Sequence, residues 1–176
     1  MGNIVRYLFL ALCLSLSLSA CGAKVAKEIG NKKSGTATIP TSLAGFVTLS
    51  DGSPLDLSGI SQSLSLTFGS DSCIICRKEA VDFAAHFARN GGLPKNAEFL
   101  TILIGANKDD VLDWKTRLGV TWNVAFEPGD SLFRRFCPKE ETPCTITFNR
   151  TTNQTRSFYR EVSVAEVERE IGPWVY

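Results

Sequence analysis

Leu64-Ser65-Leu66-Thr67-Phe68-Gly69-Ser70-Asp71-Ser72-Cys73-Ile74-Ile75-Cys76 is the stretch on which the reading of this chain turns. Leu64–Phe68 alternates apolar and polar residues, as a short strand does. Gly69–Ser72 is a turn. From Cys73 the period changes: Cys76, Ala80, Phe83, Ala84, Phe87 and Ala88 recur at three- and four-residue spacing. That spacing predicts a helix to about Asn90, stopped by Gly91-Gly92. Two cysteines separated by two residues therefore fall on the first turn of a helix that follows a strand.

Outward from this stretch the pattern is one of alternating strands and helices. Upstream, Phe46–Leu49 and Pro54–Leu57 flank the turn Ser50-Asp51-Gly52-Ser53 and predict a β-hairpin. Downstream, Phe99–Ile104 is a continuous apolar run, as expected of a central strand buried on both faces. Asp109–Leu118 predicts a second helix, with Asn107 at its N-cap and Gly119 past its end. Asn123–Phe126 predicts a strand and Ser131–Phe136 a short helix. Cys144–Phe148 and Arg156–Tyr159 are two more strands. Ser163-Val164-Ala165-Glu166 is a capping box that opens a last helix, ending near Gly172-Pro173. This order belongs to an α/β domain with helices covering a mixed central sheet.

The N-terminus carries a different signal. Arg6 is the only charge in residues 1–20, and the apolar run Tyr7–Leu18 leads through small residues to Cys21. This is the layout of a secretory signal and is too short for a transmembrane span. A cysteine after Leu18-Ser19-Ala20 favours a lipoprotein signal, with Cys21 as the lipidated residue, over an ordinary secretory signal with an incidental cysteine. Two or more acyl chains hold a protein stably on a bilayer. The expected address is the bacterial cell envelope, facing the periplasm or exterior. Residues 21–45 read as a flexible tether rich in Gly, Ser, Thr, Ala and Lys, and residues 46–176 as the folded domain. The formal net charge of +1 falls to zero once Arg6 is removed. A basic patch suited to nucleic acid is lacking.

Cys13 leaves with the signal, and four cysteines then remain beyond Cys21: Cys73, Cys76, Cys137 and Cys144. An even number in an exported protein suggests pairing, with three possible connectivities. A Cys-x-x-Cys at a helix start is suited to opening and closing a disulfide. The helix N-terminus favours the thiolate of Cys73, and Cys76, one turn in, resolves the mixed disulfide. Zinc uses the same spacing but wants a second Cys/His pair; His86 is the only histidine, and it reads as a surface residue. Glu79 shares a helix face with Cys76 and is placed to move its proton, although an ordinary solvated glutamate fits the sequence equally. Pro143, opening a strand after Thr142, can hold a cis bond and leave the Thr142 backbone free to pair with an extended substrate.

Taken in order, Phe46–Leu57, Leu64–Phe68, Cys73-Ile74-Ile75-Cys76 with Arg77-Lys78-Glu79, Asp130 with Phe133, and Thr142-Pro143 with Cys144–Phe148 resemble the TlpA-like, membrane-anchored thioredoxin-fold proteins. These are relatives of the alkyl hydroperoxide reductase/thiol-specific antioxidant group. The resemblance spans roughly Phe46–Gly172. It implies a thioredoxin-like fold with an N-terminal β-hairpin. Cys73 would be the nucleophile, Cys76 the resolver, Glu79 the acid/base group and Pro143 the cis-proline, with Thr142, Ile74 and Ile75 at the substrate. It implies a disulfide-containing protein substrate, a membrane thiol electron donor, and reduction of disulfides outside the cytoplasm, often in cytochrome c maturation. No cofactor or metal is implied, and a monomer is expected.

The chain departs from that family at several positions. Ser72 and Ile75 stand where many members have tryptophan and proline. Thr67 stands at the position of thioredoxin's buried aspartate. Cys137 and Cys144 flank the presumed cis-proline loop, as a disulfide that staples the loop, a second redox couple exchanging with Cys73–Cys76, or free thiols. Two other functions remain open at this point: a non-catalytic thioredoxin-fold binding module with structural disulfides, and a copper chaperone.

Overall fold

The computed structural model describes residues 43–176; the signal sequence, Cys21 and most of the tether lie outside the described residues. Seven strands and four helices follow in the order β1 (Phe46–Leu49), β2 (Pro54–Asp56), β3 (Ser63–Gly69), α1 (Ile74–Arg89), β4 (Ala97–Leu103), α2 (Lys108–Arg117), β5 (Asn123–Phe126), α3 (Ser131–Phe136), β6 (Cys144–Asn149), β7 (Gln154–Phe158) and α4 (Val164–Ile171). Leu43 is buried in the core, and the Leu57 N–H donates to the Gly45 carbonyl at 2.8 Å. Core packing thus reaches back along the chain to Leu43.

The strands form one sheet in the order β2-β1-β5-β4-β3-β6-β7. Strands β3, β4 and β5 are parallel, whereas β6 runs antiparallel to β3, and β1 antiparallel to β5. The parallel crossovers need helices, and α1 and α2 supply them. Asn107 caps α2 through a reciprocal capping box with Asp110, and Ser163 caps α4 the same way with Glu166.

Each face of the sheet buries its own core. On one face Leu64, Leu66 and Phe68 of β3, Leu100 and Ile102 of β4, and Ile146 and Phe148 of β6 pack with Phe133 and Phe136 of α3. On the other, Phe83 and Phe87 of α1, Phe99, Trp122 and Trp174 form an aromatic cluster with ring centroids 4.8–6.5 Å apart. Burying each such side chain contributes roughly 1.5–3 kcal/mol. Alternation along β3 ordinarily marks a strand with one wet face. Here both faces are covered, and Ser63 and Ser65 are buried on the α1 side.

Candidate functional site

Cys73 is the N-cap of α1. Its N–H donates to the Ser70 carbonyl at 3.1 Å, and the Cys76 N–H donates back to Cys73 Sγ at 3.1 Å. The two sulfurs are joined as a disulfide. Cys76 is buried (4% exposed), whereas Ile74 and Ile75 stand out at 74% and 47%. The dithiol thus presents one partly exposed sulfur and one covered sulfur, with an apolar rim between them. The loop ahead of it is held from two helices: Arg77 donates to the Asp71 carbonyl at 3.0 Å, and Arg117 of α2 pairs with the Asp71 carboxylate at 2.7 Å.

Cys76 rests on the end of β3. A Cβ added to Gly69 would lie 3.2 Å from Cys76 Cβ and 3.3 Å from its Sγ, tighter than ordinary van der Waals contact. Sequence reasoning placed Gly69 in a turn; its lack of a side chain instead makes room for the sulfur. In the β3–β6 register Phe68 faces Cys144, so the next step brings Gly69 opposite Pro143. The Thr142–Pro143 bond is cis, Pro143 is buried and Thr142 half-buried. The strand pairing therefore sets the Thr142-Pro143 turn beside the bed of Cys76.

Glu79 is the buried carboxyl of this face, 5% exposed. Val162 N–H donates to Oε2 at 3.1 Å, and Thr145 Oγ1 donates to Oε1 at 3.4 Å. With the Thr145 proton so used, Thr67 Oγ1 donates to Thr145 Oγ1 at 3.0 Å. Thr67, at the position of the missing aspartate, is thus joined to Glu79 through a hydroxyl. Burial raises the Glu79 carboxyl from 4.5 to about 7; the Val162 and Thr145 hydrogen bonds oppose this, and the charge of Glu161 adds to it. A cavity of about 30 Å³ lies between α1 and the sheet, lined by Cys76, Glu79, Ser65, Thr67, Thr101 and Trp114 among others. Its size and polarity suit a water molecule. Nothing in the local sequence announced Thr145 or Val162 as partners, since they lie 66 and 83 positions from Glu79.

Cys137 and Cys144 are also joined as a disulfide, and both are fully buried. They belong to the core that holds Phe68, on the sheet face opposite Gly69 and Cys76. The Glu127 carboxylate accepts from the N–H groups of Ser131 and Leu132 at 3.0 and 2.9 Å and so anchors α3, which leads into Cys137. Sequence reasoning missed this cap. His86 is half-buried on α1, and its Nε2 pairs with the Tyr176 hydroxyl at 2.8 Å. Among the described residues no group of three or more His, Cys, Asp or Glu lies together as metal ligands, and no helix is long and apolar enough to cross a membrane.

This is a thioredoxin fold with a Cys-x-x-Cys disulfide at the start of its first helix. No protein-family model matches the chain, and no curated protein matches it in sequence. Solved structures do. A secreted Mycobacterium tuberculosis disulfide oxidoreductase homologous to E. coli DsbE superposes with a TM-score of 0.61 at 16% identity, over 74% of this chain and 96% of that one. M. tuberculosis DsbF, solved in mixed oxidized and reduced forms, gives 0.63 at 15%, over 76% and 97%. A thiol:disulfide interchange protein of the thioredoxin family from Chlorobium tepidum gives 0.60 at 16%, over 79% and 96%. The chain therefore has the fold of the thioredoxin-family thiol–disulfide oxidoreductases.

Proposed function

We propose that this protein is a thiol–disulfide oxidoreductase that reduces protein disulfides outside the cytoplasm, tethered to a membrane through lipidated Cys21. The observation that carries this reading is the Cys73–Cys76 disulfide at the α1 N-terminus, with its covered sulfur on the same helix face as the buried Glu79. Exchange needs an accessible thiolate, a resolving thiol and a proton acceptor, and these three groups provide them.

In the reduced protein the Cys73 thiolate, favoured at the helix start, attacks one sulfur of a substrate disulfide. A Cys73–substrate disulfide forms and the first substrate sulfur leaves, taking a proton from solvent. The Cys76 thiol passes its proton to the Glu79 carboxylate, directly or through water, and attacks Cys73 Sγ. The Cys73–Cys76 disulfide forms, the mixed disulfide breaks, and the second substrate thiol departs protonated. Two electrons have moved from the protein dithiol to the substrate. A membrane thiol donor of the kind used in cytochrome c maturation restores the dithiol by the same exchange in reverse. Ile74, Ile75 and the Thr142-Pro143 turn offer an apolar rim and an extended backbone edge for the substrate chain.

The reduction potential of Cys73–Cys76, measured against glutathione with insulin reduction as the activity assay, tests this. A potential near −270 mV with turnover abolished by Cys73→Ser supports a reductase. A potential near −120 mV reverses the direction, and a disulfide inert to excess dithiothreitol overturns the catalytic reading.

A further inference from the structure

Two links cross from α1 to the loop between β7 and α4, side by side. Glu79 accepts from the Val162 N–H, and its chain neighbour Lys78 pairs with Glu161, the chain neighbour of Val162, at 2.5 Å. Lys78 also pairs with Asp82 at 2.9 Å. All three ion-pair side chains are largely exposed, so these bridges add little to global stability. Their placement gives them another use.

We propose that the Lys78–Glu161 pair is a positioning element for Glu79: it holds the Val162 N–H on the buried carboxyl and offsets the negative charge of Glu161 beside it. This rests on the proton-transfer role of Glu79 given above. The charged groups facing Glu79 are few. Its own helix supplies Lys78 and Asp82, and Cys76 as a thiol in the reduced protein. The β7–α4 loop supplies Glu161 and Arg160, the latter engaged with Glu166 of α4 at 2.6 Å. Strands β3, β4 and β6 bring only the hydroxyls of Ser65, Thr67, Thr101 and Thr145 to this side. Lys78 and Glu161 are therefore the pair through which surface charge reaches the buried carboxyl. Loss of Lys78 leaves Glu161 uncompensated and frees the loop, and both effects favour the protonated carboxyl. Loss of the Glu161 charge removes a repulsion that disfavours the carboxylate, but it also breaks the bridge and frees the loop, which works in the opposite direction.

The test is the pH dependence of insulin reduction by the full protein, paired with a carboxyl-carbon NMR titration of Glu79. Lys78→Gln, whose two effects act together, is expected to move the midpoint up by roughly half a pH unit, and Glu161→Gln, whose two effects oppose, to move it by less. Lys78→Arg keeps the bridge and is expected to restore the wild-type midpoint. A midpoint unmoved by Lys78→Gln, or one that Lys78→Arg shifts as far as Lys78→Gln does, overturns the inference while leaving Glu79 in its role. A wild-type profile that Glu79→Gln leaves unaltered overturns the proton-transfer role itself, and this inference with it.

Discussion

Val162 donates its backbone N–H to the Glu79 carboxyl at 3.1 Å across 83 positions of chain. This bond ties the acid on α1 to the loop between β7 and α4. It also stabilises the carboxylate form, against a burial that favours the neutral form.

Burial wins, and stability should record it. The Glu79 carboxyl titrates near 7 in the fold against 4.5 for the free side chain. Between these values the native state holds a proton that the unfolded chain has lost, so stability falls as pH rises from about 4.5 to 7 and levels off above. The loss attributable to Glu79 is on the order of 3 kcal/mol. Urea unfolding of the oxidised protein across this range should show the slope, and Glu79→Gln should flatten it. A slope that survives the substitution would assign it to other groups.

Gly69→Ala should crowd the dithiol. The new methyl would sit 3.2–3.3 Å from Cys76 Cβ and Sγ, and overpacking of this kind costs typically about 1–3 kcal/mol. Chemical unfolding of the oxidised protein measures it. Because the intruding atom meets Cys76 Sγ, closure of the Cys73–Cys76 disulfide in single-turnover experiments should slow as well.

The Cys137–Cys144 disulfide should act through stability rather than turnover. It lies on the opposite face of the sheet from Cys76. Closing a loop of this length restricts the unfolded chain by roughly 2–3 kcal/mol in the chain-entropy account. The double variant Cys137→Ala/Cys144→Ala should unfold at correspondingly lower denaturant and retain insulin reduction while folded. Lost turnover in a folded double variant would make it a relay.

Ile74→Ser with Ile75→Ser separates substrate docking from chemistry. Both side chains are exposed, so stability should change by less than about 0.5 kcal/mol. The KM for unfolded protein disulfides should rise several-fold, while turnover with a small disulfide such as oxidised glutathione stays the same. An equal loss on both substrates would place the isoleucines in the chemistry instead.

The elements themselves were legible because their signals are local. Alternation marked β3, three-and-four spacing marked α1, and the Ser163 box marked α4, each within one or two residues. Cys73 falls one residue before α1 as its cap, because a helix's first hydrogen bonds need an acceptor ahead of it. The polar partners of the site were not legible. A glutamate on an amphipathic helix reads the same whether water or Thr145 lies beneath it, and only tertiary packing brings Thr67, Thr145 and Val162 under α1. The bed for Cys76 was hidden for a similar reason, since a glycine after a strand signals a turn before it signals a close approach. Glu127 was missed because its cap acts from four residues ahead of α3, across the turn Pro128-Gly129-Asp130.

Thr67 in place of a second buried acid simplifies the electrostatics of this face. Two neighbouring carboxyls would share their titration, and neither midpoint would belong to one residue. Here Glu79 is the buried carboxyl on this face, and its acidic neighbour is the Glu161 carboxylate at the surface. The Glu79 midpoint in the oxidised protein therefore reports on its burial, its hydrogen bonds and the charge of Glu161. Its displacement on reduction measures the coupling between that carboxyl and the Cys76 thiol.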